Sequence, residues 1–169
     1  MRAGFPYRSL LFTFFFFSAT TTEAKYDPRL NWQTLTTEHF YIHYHDGQEN
    51  LAKKYAVLAE KKYPAMIKKL GHEPYFRTHL VVSDIYDDPN GMTSLEPWNR
   101  VELFAAKPLP DSPLGRYNDW DDLLFTHEYT HVLNLDQIRG LPAISRYVVG
   151  RYYFPNEWQP AWLIEGSAV

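Results

Sequence analysis

Between His39 and His45 the chain alternates strictly, with Phe40, Ile42 and Tyr44 on one face and His39, Tyr41, His43 and His45 on or near the other. A period of two is the mark of a half-buried strand. From Asn50 to Leu70 the period changes: Leu51, Tyr55, Leu58, Ala59, Met66, Ile67 and Leu70 recur with lysines between them, and Gly71 follows the last turn. That spacing predicts an amphipathic helix stopped by a glycine. A second strand is predicted over Thr78 to Ser83. A third covers Arg100 to Ala106 and is ended by Pro108 and Pro110, which cannot extend a ladder. Between these two, the polar stretch Asp84 to Asn99 reads as a loop with the turn pair Asn90-Gly91.

From Asn118, a predicted N-cap, the segment Asp119 to Arg139 reads as a helix, with Asp119, Asp121 and Asp122 in its first turn, Arg139 in its last and Gly140 beyond. Leu141 to Pro155 predicts a short helical or irregular connection, and Pro160 opens a last helix containing Trp162, Leu163 and Ile164. Strands grouped first and helices after predict an α+β fold: a small mixed sheet followed by a helical region.

The beginning of the chain has a different character. Arg2 and Arg8 precede an apolar run from Leu10 to Ala19 that includes Phe12, Phe14, Phe15, Phe16 and Phe17, with small residues at Thr22 and Ala24. This layout predicts a signal peptide over 1–24, cleaved after Ala24. The apolar run is shorter than the roughly 20 helical residues a membrane span needs, so no stable anchor is expected after cleavage. The expected location is periplasmic or secreted.

Composition narrows the chemistry of the remaining segment, 25–169. A chain of 169 residues, 45% hydrophobic and 22% charged, fits one globular domain. Its formal charge of −3 becomes one unit more negative once Arg2, Arg8 and Glu23 are removed, which leaves no cationic field for nucleic acid. The absence of cysteine excludes disulfides, thiol nucleophiles and thiolate metal sites, so any metal must use histidine and carboxylate ligands.

His127-Glu128-Tyr129-Thr130-His131 is an H-E-x-x-H pattern on a predicted helix. Residues four apart on a helix lie one turn apart on one face, so two imidazoles can converge on one ion. Glu128, about 100° round from His127, stands beside that ion and can hold a water as general base. The flanking Leu123, Leu124, Phe125, Val132, Leu133 and Leu135 predict a buried helix, where an unpaired His or Glu would be costly. A catalytic zinc needs a third protein ligand and one open position. No histidine follows His131, and the metzincin continuation, Gly at 134 and His at 137, is replaced by Asn134 and Gln137. The third ligand is then a carboxylate or comes from upstream. Asp136 lies about 140° round the helix from His131, and Glu157 sits in a Pro- and Asn-flanked loop. Glu165 is the better candidate: it follows Trp162-Leu163-Ile164 and precedes Gly166-Ser167-Ala168, whose small side chains would let a second helix pack closely on the first.

His127-Glu128-Tyr129-Thr130-His131 followed by Trp162-Leu163-Ile164-Glu165-Gly166-Ser167-Ala168 resembles the gluzincin metallopeptidases, most closely the exported bacterial peptidase MA-like domains, which a β-propeller often follows. The likeness extends to Glu38-His39-Phe40-Tyr41-Ile42-His43-Tyr44, the lysine-rich helix, Asn90-Gly91 and Gly140-Leu141-Pro142. It implies a thermolysin-like zincin N-terminal subdomain over 25–169 that hydrolyses peptide bonds. It further implies Zn2+ held by His127, His131 and Glu165, Glu128 as catalytic base, and a peptide or protein substrate extended along the third strand, Arg100 to Ala106. Two departures bear on this. Val169 stands where thermolysin-type gluzincins carry an aspartate that orients a histidine, so no orienting carboxylate is assigned. The sequence also stops four residues after Glu165, so the domain is expected to be C-terminally incomplete and any downstream β-propeller missing. Tyr152 and Tyr153 are available as oxyanion stabilisers without being assigned.

The competing expectations are an inactive or truncated zincin-fold binding or scaffolding protein, and a structural zinc, which would want four protein ligands. The face carrying His39, Tyr41, His43 and His45 is read as a solvated strand face rather than a second metal site. His72 and His79 receive no role.

Overall fold

The alternating and helical segments assemble into a mixed α+β fold. The structure, a computed structural model, describes residues 26–27, 29–151 and 153–168. The expected signal peptide with its cleavage point, Tyr152 and Val169 lie outside the described residues. Among the described residues no helix is long and apolar enough to cross a membrane.

Five strands, β1 (Trp32–Thr36), β2 (Phe40–His45), β3 (Thr78–Ser83), β4 (Gly91–Ser94) and β5 (Arg100–Phe104), form one sheet in the order β1-β2-β3-β5-β4. The central strands β2, β3 and β5 are parallel, and β1 and β4 run antiparallel to their neighbours at the two edges. Helix α1 (Glu49–Leu70) connects β2 to β3 and stops at Gly71, whose φ of 66° favours glycine and whose N–H donates to Ile67 O at 2.8 Å. After β5 come α2 (Trp120–Leu135), α3 (Leu141–Val149) and α4 (Ala161–Ser167), the last opened by Pro160.

One face of the sheet carries the core. Phe40, Ile42, Leu80, Val82, Val101 and Leu103 pack against Tyr55, Ala59, Tyr63 and Met66 of α1 and against Leu124, Phe125, Tyr129 and Val132 of α2. Phe40 lies at the centre, with ring centroids 5.2 Å from Tyr129 and 5.9 Å from both Phe125 and Tyr63.

Several boundaries differ from the sequence reading. The stretch Asp84 to Asn99 is not only loop, because it contains β4. The third strand ends at Phe104, and β1 had no predicted counterpart. The cap of α2 is Asp119 rather than Asn118: its carboxylate accepts from the Asp122 N–H at 3.2 Å. That helix ends at Leu135 instead of Arg139. The Asn156 side-chain amide takes the carbonyls of Asn134 and Gln137, each at 2.8 Å, and Asp136 turns into ion pairs with Arg146 and Arg151. Such partners replace the hydrogen bonds a further helical turn would have made.

The histidine face of β2 is not simply solvated either. His45 is buried, with Nε2 2.7 Å from Asp84 Oδ1. His43 lies between Thr34 Oγ1 and His79 Nδ1, each at 2.8 Å. The contact between the two rings is a hydrogen bond only while one facing nitrogen carries a proton and the other does not. Burial holds both histidines below their ordinary range, with the neighbouring charge of His79 adding to it at His43 and that of Arg100 at His79. A histidine whose folded-state pKa is depressed contributes stability that is complete above its unfolded value near 6.5 and is lost as pH falls through the folded value. Urea midpoints measured from pH 7.5 down to 5 should therefore decline, and a His79→Gln variant should show a shallower decline. An equally steep slope in that variant would remove the pair from the acid response.

Candidate metal centre

The rotational setting of α2 follows from its apolar residues. Phe125, Tyr129 and Val132 point under the sheet and are fully buried, which turns His127 and His131 to the opposite side of the helix. Glu128 falls between the two faces and is pressed against β4. At Gly91 a side chain has no room: a Cβ there would sit 2.8 Å from Glu128 Cγ, 3.0 Å from Leu124 Cδ1 and 3.1 Å from Glu102 O. Two residues along the same face of β4, Thr93 Oγ1 lies 2.8 Å from Glu128 Oε2 and 2.9 Å from the Glu128 carbonyl oxygen. Its hydroxyl can donate to either, which holds the glutamate in one orientation.

The third residue arrives on α4. Asn134 of α2 donates to Ser167 Oγ at 3.2 Å, and Ala168 is buried, so the small residues after Glu165 make the helix contact. This docking brings Glu165 Oε2 to 3.4 Å from His127 Nε2 and 3.6 Å from His131 Nε2, while the two nitrogens lie 3.1 Å apart. The imidazole planes are nearly perpendicular, at 89°. Among the described residues these three form the group of His and acidic side chains whose donor atoms converge closely enough for one ion. A tetrahedral ion with bonds of about 2.0–2.1 Å has edges of about 3.3 Å between its ligands. The three observed separations bracket that edge, so the donor set fits a metal ion of zinc's size in both distance and chemistry.

Electrostatics agree with that fit. Burial, with the neighbouring His127 charge, keeps His131 below the ordinary histidine range, against the opposing pull of Glu165. A neutral imidazole is the form that ligates a metal. Burial pushes the Glu128 carboxyl up, against the Thr93 hydrogen bond and the His127 charge, and this makes it a better proton acceptor than an exposed glutamate. His131 Nδ1 is buried with no hydrogen-bond partner among the described residues. The cleft is open to solvent: Glu165 is 63% exposed, and the lining includes Asn90, Met92 and Ile164.

Other residues weighed from the sequence lie elsewhere. Asp136 is buried in its arginine pairs, Glu157 is exposed in the turn Pro155–Trp158, and Tyr153 is exposed. The third strand cannot offer its edge to a substrate, because β5 is paired on both sides, with β3 and with β4. The edge strand beside the site is β4. Thr93, Asn134 and Asn156 were not anticipated from the sequence; the Asn90-Gly91 pair was the one local signal near Thr93, and it reads as a turn. The chain matches no protein-family model, no curated protein and no solved structure.

Replacing Gly91 by alanine tests the tightness of the contact between α2 and β4. The added methyl should force the two apart and destabilise the protein by about 1–3 kcal/mol in urea denaturation. Wild-type stability in Gly91→Ala would mean that the helix can stand further from the strand at no cost.

Proposed function

We propose that this protein is a zinc-dependent metallopeptidase of the gluzincin type, exported by the segment 1–24, with a thermolysin-like arrangement of an edge strand and two site helices. The observation that carries the reading is the near-tetrahedral spacing of His127 Nε2, His131 Nε2 and Glu165 Oε2, at 3.1, 3.4 and 3.6 Å, with a carboxylate beside them. Three protein donors and a solvent-open side suit a catalytic ion better than a structural one, which closes its fourth position with protein. The bound ion would supply Lewis acidity toward the scissile carbonyl and lower the pKa of a water toward 7.

The side chains then divide the work. His127, His131 and Glu165 would hold the ion. Glu128 accepts the proton of the attacking water and delivers it to the leaving amine, a role its burial favours. Thr93 fixes the Glu128 carboxylate through the 2.8 Å contact. An extended peptide would add to β4, pairing main chain with main chain next to Glu128. The edge position of β4 supports this placement over the earlier one on β5.

Metal analysis together with cleavage of an unfolded casein-type substrate tests the proposal. Wild-type protein should carry about one zinc and lose cleavage with a chelator. Glu128→Gln should keep the zinc and lose roughly 10²- to 10⁴-fold in rate. Glu165→Gln and His131→Ala should lose the metal as well. Full activity in Glu128→Gln, or no zinc uptake by the wild type, would overturn the assignment.

A further inference from the structure

At the C-terminal end of α2, away from the histidine pair, the side chain of Asp136 is buried and saturated. Oδ1 accepts from Arg146 Nη1 and Arg151 Nη2, both at 3.0 Å. Oδ2 lies 3.1 Å from His72 Nε2 and 3.3 Å from Asn99 Nδ2. Arg146 Nη2 also donates to the Asp136 carbonyl oxygen at 3.3 Å, and Arg151 Nη2 to Asn99 Oδ1. The guanidinium carbons of Arg146 and Arg151 stand 4.9 and 5.6 Å from the Phe154 ring centroid. The arginines are fixed in place by these contacts.

Their charge is not balanced. Among the described residues both arginines pair with Asp136 and with no other acid, so two permanent cations share one carboxylate. Each is 17% exposed, and the Nε of each is buried without a hydrogen-bond partner. Burial together with the charge of Arg146 keeps Arg151 below its ordinary range, although Asp136 pulls the other way. Both guanidiniums face a cavity of about 430 Å³ whose other walls are Tyr75, Phe76, Ile138, Ala143 and Asp136, the last with both carboxylate oxygens already engaged by the arginines, His72 and Asn99. One surplus positive charge, unused N–H donors and apolar or aromatic walls describe a complementary ligand.

We propose that this cavity binds a carboxylate carried on an apolar body, with the acid against Arg146 and Arg151 and the apolar part against Tyr75, Phe76 and Ile138. A monoanion neutralises the surplus charge, whereas a phosphate dianion would leave a net negative charge among these walls. The chemistry is shared by a small hydrophobic acid and by the free C-terminus of a peptide ending in an apolar residue. The site is separate from the metal centre and does not depend on its activity.

Isothermal titration tests this on chelator-treated protein, because a carboxylate would also ligate a metal at the histidine pair. The probes are 3-phenylpropionate, 3-phenylpropionamide, acetate, and N-acetyl-Ala-Phe as free acid and as amide. Saturable one-to-one binding is expected for the two hydrophobic acids, with the amides and acetate at least tenfold weaker. Tighter binding of the dipeptide acid than of phenylpropionate identifies a peptide C-terminus as the preferred source, and the reverse order a small acid. Arg151→Gln should weaken binding at least tenfold. Since that variant loosens the Asp136 pairs, Ala143→Trp serves as a second: it fills the cavity while keeping both arginines and Asp136, and should abolish binding while the thermal midpoint stays near that of the wild type. Equal binding of acid and amide, unchanged binding in Ala143→Trp, or no binding of either acid by the wild type would overturn the proposal.

Discussion

Rotation of α2 about its own axis is set by Phe125, Tyr129 and Val132, all fully buried beneath the sheet. Turning the helix by one residue would bring aromatic surface out of the core at about 1.5–3 kcal/mol per side chain. No hydrogen bond made by the histidines approaches that sum, since hydrogen bonds contribute about 1 kcal/mol each. The packing therefore decides which residues of the helix face the cleft. His127 and His131 face the cleft because their neighbours must face the core, and Glu128 meets β4 because it lies between the two directions. The chemistry of the site is placed by residues that take no part in it.

The same logic operates at the strand. Gly91 and Thr93 occupy one face of β4, alternate positions of a pleated chain. The first lets α2 approach by having no side chain; the second uses the short distance to reach the glutamate with a hydroxyl. A bulkier residue at the first position would leave the second out of range. Packing and hydrogen bonding at this seam form one device, distributed over two residues.

What could be read from the sequence was whatever depends on local periodicity. The α1 helix follows from its apolar spacing and Gly71, β2 and β3 from their apolar content and alternation, and the histidine pair from its four-residue interval. Glu165 was legible through the small residues behind it. The edge strands were not, because Trp32–Thr36 and Gly91–Ser94 are short, largely polar, and defined by the ladder they join. Strand order escaped for a related reason: β4 precedes β5 in the chain yet lies outside it in the sheet. The early end of α2 depends on Asn156, Arg146 and Arg151, and the His43–His79 contact joins two strands. Pairings across such distances leave no trace in a local pattern.

The three donors of the candidate metal centre are anchored unequally. Two belong to a helix of 16 residues whose other side is core, and the third to α4, seven residues long, which leans on α2 through Ser167 and Ala168 while Trp162 and Leu163 remain exposed. A segment of that length has little helical persistence of its own. The imidazole pair thus stands on a helix held by the core, whereas the acid depends on how α4 packs against it. An ion bridging α2 and α4 would act as a staple, so that occupancy and the packing of α4 on α2 become a single equilibrium.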